Sequence, residues 1–147
     1  MGASSWIYFV PYQKDIAKAL EALRADVFAK GLYLGGPGLK VKGREPMAPA
    51  PKTIEELVTR AAEDGTHSIL DVYEVATEPD YGIVAPLAAN DLEECFGTRL
   101  PMRADIEDGQ DGIQEIEHRR GRGCGSYVIV YAGGKPAEIC FFGYSGD

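Results

Sequence analysis

No stretch of 18 or more apolar residues occurs in the 147-residue chain, so no transmembrane helix is expected. Histidine is almost missing, with His67 and His118 the only two. Neither sits in an HExxH pattern, and no clustered ligand spacing surrounds them, so a zinc site is not expected. Cysteine is sparse and odd in number: Cys95, Cys124 and Cys140, with no CxxC pair. That argues against a disulfide framework or a cysteine-based zinc site, and it fits a reducing cytoplasm. Met1–Trp6 has no basic run and Trp6–Val10 is a short apolar stretch, so no signal peptide is expected. The phosphate-cradling pattern GxxxxGK[ST] is absent, and Gly121–Gly125 does not follow GxGxxG. Asp105, Glu107, Asp108 and Asp111 look superficially like a calcium loop, but the sixth position from Asp105 is Gln110, where that loop needs glycine. No metal and no cofactor are therefore expected.

Positive charge is also short. Fifteen Lys and Arg face 23 Asp and Glu, a net charge of −8. The imbalance is concentrated in the middle: residues 1–52 carry +4, residues 53–117 carry −14, and residues 118–147 carry +2. An acidic middle repels phosphate backbones and favours a basic partner, so nucleic acid and membrane are excluded as expected partners.

What is present points to a single α+β domain. Tyr127–Ala132 and Ala137–Tyr144 flank Gly133-Gly134, the clearest hairpin signal in the chain. Ser5–Tyr12 reads as a first strand with apolar residues on both faces, hence a central strand or one with an aromatic-lined open face. Asp15 caps a helix over Ile16–Lys30, whose stripe of Ile16, Leu20, Leu23 and Val27 ends at Gly31. Residues 35–52 hold four prolines and four glycines, which reads as a flexible loop or binding flap. Thr53-Ile-Glu-Glu56 is a capping box opening a second helix that runs to about Asp64. His67–Ala76 reads as a strand, Tyr81–Ala85 as a short one, and Asn90 as the cap of a short helix ending at Gly97. Residues 98–125 suggest one or two short helices around Ile106, Ile113 and Ile116. The expected architecture is a four- to five-stranded antiparallel or mixed sheet with helices mainly on one face and a C-terminal β-hairpin.

The candidate chemistry is thin. His67 and Asp71 would share a strand face about 13 Å apart, too far to touch each other. An acid between Leu70 and Val72 belongs either at an edge or in a polar site. Cys124, among Arg119, Arg120 and Arg122, has cations nearby that would favour a thiolate. His67, Asp71 and Cys124 are the catalytic candidates; Trp6, Tyr8, Tyr12, Tyr73, Tyr131 and Tyr144 are the candidate ligand-binding aromatics. With no assembled catalytic motif, the expected function is a small acidic, non-enzymatic cytoplasmic protein that binds another protein, of immunity or inhibitor type against a basic partner. The alternative is a small-molecule-binding domain or small enzyme, with its site on an aromatic-lined sheet face or under the 35–52 loop.

Overall fold

Gly133 and Gly134 take φ of +59° and +77°, the pair of positive values a two-residue hairpin turn requires. They join β4 (Gly125–Ala132) to β5 (Lys135–Ser145) in a computed structural model that describes residues 4–145. β1 (Ser4–Pro11) pairs antiparallel with the other side of β5, β3 (Ile83–Pro86) runs parallel to β4, and β2 (Glu74–Val75) runs parallel to β3. The mixed five-stranded sheet has the order β1-β5-β4-β3-β2. The fold class is α+β, as the sequence implies. β1 is an edge strand rather than a central one, because β5 alone pairs with it and β4 holds the middle of the sheet.

Period-two alternation divides the core. Trp6, Tyr8, Ile129, Ile139 and Phe141 point to one face, where α1 (Ile16–Lys30) and α2 (Ile54–Arg60) cover them with Leu20, Leu23, Val27 and Leu57. Phe9, Val128, Val130, Cys140 and Phe142 point to the other, under α3 (Ala89–Phe96), α4 (Arg103–Asp108) and α5 (Gln110–Arg120) with Ile106, Ile113 and Ile116. Helices thus cover both faces instead of mainly one, and no aromatic-lined face is left open. Trp6 lies across the glycines of the central strands. A methyl on Gly143 would fall 2.6 Å from its Cζ2, and one on Gly125 3.3 Å from its Cη2.

The capped helices form where local chemistry places them. The Asp15 side chain accepts from Lys18 N at 3.1 Å, and Gly31 ends α1 at φ +67°. Thr53 accepts from Glu56 N, while the Glu56 carboxylate takes the Lys52 amide one residue earlier than a strict capping box would. α2 stops at Arg60, four residues short of expectation. α3 is capped by Ala88, not Asn90.

The largest departure is His67–Ala76. It folds as a single 3₁₀ turn at Ile69–Asp71, and only Glu74–Val75 joins the sheet. Ser68 accepts from Leu70 N at 3.1 Å, and the Asp71 carboxylate accepts from Thr66 N at 2.7 Å. These short-range side-chain bonds give the backbone an alternative to a ladder. Ile69, Leu70 and Val72 are then buried together, without strand alternation.

Candidate functional site

The three catalytic candidates do not come together. Cys124 is buried, and burial first, then the Asp80 charge, raises its thiol above the usual range. Arg120, a cation expected to activate it, instead donates to the carbonyls of Ala85 and Pro86 at 2.7 Å and to Ser126 Oγ at 2.9 Å, tying β3 to β4. Cys140 is pushed up to about 12 by burial. Cys124 and Cys140 are both buried among packed side chains.

Asp71 takes the structural course. Its Oδ1 holds Thr66 N and its Oδ2 accepts from the Ser145 hydroxyl, whose oxygen in turn accepts from Trp6 Nε1 at 3.2 Å. Beside this chain, Tyr8 OH accepts from Ile69 N at 3.3 Å and Arg24 Nη2 donates to Leu70 O at 3.2 Å. The 66–72 turn is thereby bolted to both terminal strands.

His67 faces a different space. Its backbone is left-handed at φ +54°, among the described residues the one non-glycine with positive φ. Ring Nε2 lies 3.0 Å from Asp64 O and Nδ1 2.8 Å from Ser4 Oγ. Since a carbonyl only accepts, Nε2 carries a hydrogen. The ring borders a cleft of about 590 Å³ lined by Ser4, Ser5, Leu39, Lys42, Arg44 and Asp64 among others. The roof is the glycine- and proline-rich segment, held by Gly38 N to Gly31 O at 3.0 Å and Met47 N to Gly35 O at 2.8 Å. A methyl on Gly38 would sit 2.0 Å from Lys30 O, so that close approach needs glycine. The sequence flagged His67 and the basic loop separately; the contribution of Ser4, Ser5 and Asp64 comes only from tertiary packing.

Behind the cleft wall, Ser5 Oγ donates to Glu117 Oε1 at 3.1 Å. Glu117 is buried, and burial lifts its carboxyl to about 7 against the Ser5 bond, which pulls the other way. From the ordinary value of 4.5 up to about 7, the native state therefore binds more protons than the unfolded chain. Stability is gained as pH falls through that window and lost as pH rises through it, by on the order of 2 kcal/mol. Glu117→Gln should flatten this slope between pH 4.5 and 7 in denaturant titrations; an unchanged slope would show that the carboxyl titrates normally.

The aromatic candidates scatter. Trp6 is buried, and Tyr8 packs on the α1 face. Tyr12 stands past the end of β1 and is exposed. Tyr131 flanks a bulge in β4, and Tyr144 meets the His118 ring edge-on at 5.9 Å. Tyr73 alone is strongly exposed, and it has a neighbour the sequence did not single out, Tyr81; their exposures are 61% and 69%. Each ring lies against a glycine. A methyl on Gly82 would fall 2.3 Å from Tyr73 Cε1, and one on Gly123 2.4 Å from Tyr81 Cε2. Gly82 N donates to Gly123 O at 2.8 Å, so the two rings stand on adjacent backbone positions.

Among the described residues, no group of three or more His, Cys, Asp or Glu is placed to hold a metal ion, and no helix is long and apolar enough to cross a membrane. The acidic residues Asp105, Glu107, Asp108 and Asp111, whose spacing fails the calcium-loop pattern, are divided between α4 and α5. The chain matches no known family model, no curated protein and no solved structure.

Proposed function

We propose that the chain is a non-enzymatic cytoplasmic domain that binds a basic protein partner, in the manner of an immunity or inhibitor protein. The observation that supports this is the exposure of two tyrosines, Tyr73 and Tyr81, on a segment rich in acidic residues. From Ala61 to Thr98 there is no lysine or arginine but nine acidic residues, and Glu74, Glu78 and Asp80, close to the tyrosines in sequence, are exposed. Tyrosines pinned on one side by glycine lose little freedom on binding and offer a broad face to an arginine or lysine stem. The surrounding carboxylates steer a cationic partner and make the association salt-sensitive.

The test is to recover the partner on the tagged chain and measure its association with the purified protein. The Tyr73→Ala/Tyr81→Ala pair should weaken binding at least tenfold, as loss of central aromatic anchors does. Raising salt from 50 to 500 mM should slow association. Binding indifferent to both would sink the proposal.

A second reading, a small-molecule site, is favoured by the cleft beside His67. Its volume of about 590 Å³ suits a metabolite-sized ligand, and its wall mixes aliphatic and polar groups.

A further inference from the structure

We infer that the cleft takes a small molecule with an oxyanion head, a carboxylate or a phosphate monoester, on a short aliphatic body. This rests on the second reading, a small-molecule site, and names its ligand class.

The charge of the lining is the first argument. In a chain of net charge −8, Lys42 and Arg44 converge from the roof, with Lys40 on the adjoining pocket of the same loop. Asp64 opposes them, yet it engages Arg44 through Nη2 at 3.2 Å, in a pair exposed on both sides. A guanidinium has five N–H donors, so one carboxylate contact leaves others for a ligand. The Asp64 contact also holds Arg44 at the mouth, positioned rather than waving in solvent.

The hydroxyls are the second. Ser4 Oγ faces His67 Nδ1, and a hydroxyl bonds in either sense. Nε2 donates to Asp64 O, and whichever way the Ser4 hydroxyl bonds Nδ1, it stands in the cleft wall. The left-handed backbone at His67 is a local cost, offset by the bonds that fix this ring at the cleft rim. The titratable and charged groups around it are Asp64, Arg44 and Lys42, with Glu117 behind Ser5.

The third is shape. Leu39 and Val41, each about 40% exposed, and the buried Leu34 give the cleft an aliphatic part of its wall. Exposed leucine and valine on a glycine-rich loop are left wet unless something apolar covers them. An anion with no apolar body would leave that side unfilled.

The experiment is an amide NMR titration of the full chain with hexanoate, hexyl phosphate and neutral hexanol. One or both anions should saturably shift Ser4, Ser5, Gly43, Arg44 and His67, with hexanol at least tenfold weaker. Which anion binds tighter decides between carboxylate and phosphate. Lys42→Gln and Arg44→Gln should each weaken the anion at least fivefold, and Lys42→Gln leaves the Arg44–Asp64 pair intact, which guards against a loss of loop structure. Equal binding of hexanol in the cleft would overturn the oxyanion inference while keeping a small-molecule site. No cleft shift with any probe would overturn both.

Discussion

Replacing Phe141 with alanine should cost about 3–5 kcal/mol, the range for truncating a fully buried phenylalanine. Phe141 is 0% exposed on β5, opposite Tyr8 of β1 and Tyr127 of β4. Its ring is 6.4 Å from that of Tyr127 and belongs to the cluster closed by Leu20, Leu23 and Val27 of α1. β5 pairs with β1 on one side and β4 on the other and packs under α1, so a void there is bordered by all three at once. Three braced neighbours relax little, and the residual cavity term stays large. Against a total stability of about 5–15 kcal/mol, this is a large fraction. Thermal melting should fall by about 6–20 °C. Phe141→Leu, closer in volume, should lose less than half as much. A Phe141→Ala protein melting within 2 °C of the parent would mean that β5 is not the packed centre.

The second large effect is at Asp71. Asp71→Ala should cost about 2–5 kcal/mol, because two buried donors lose their acceptor. Thr66 and Ser145 are each 1% exposed, and both give their hydrogen to this carboxylate. Asp71 is partly exposed, so removing it relieves little desolvation, and the orphaned donors decide the sign. Asp71→Asn should fall between. Its amide oxygen serves one donor, but its NH₂ group then faces the other, and one bond is still lost. Urea denaturation of the three proteins should rank them parent, Asn, Ala. The same series separates a structural carboxylate from a functional one. A structural Asp71 lowers stability and leaves the Tyr73–Tyr81 surface and the cleft able to bind. An Asp71→Asn protein of parental stability would refute the network reading.

Part of this molecule is written in short-range chemistry. Asp15 and Gly31 bound α1, Thr53 opens α2, and Gly133-Gly134 closes the hairpin, because each acts on backbone groups within a few residues. The alternation of Tyr127 to Ala132 and Ile139 to Phe142 was legible for the same reason, since side-chain direction in a strand follows from sequence parity alone. The His67–Ala76 strand was not. The composition reads as β, but Ser68 and Asp71 turn the backbone on itself, and the partner that makes this worthwhile, Ser145, lies 74 residues away. Cys124 looked available among its arginines, yet Arg120 is spent on four acceptors of β3 and β4 and the thiol is covered.

The sequence by itself therefore determined the α+β class, the hairpin, the first two helix starts and the acidic middle, all properties of neighbours along the chain. Only the tertiary structure decided that β1 would lie at the sheet edge with β4 in the middle, that helices would cover both faces, and that His67 would meet Ser4 across 63 residues. It also decided that the Tyr73 ring would lie against Gly82 and the Tyr81 ring against Gly123, two glycines joined by a backbone hydrogen bond. Those outcomes depend on which apolar faces bury each other, and burial is a competition among all segments at once that no local pattern encodes.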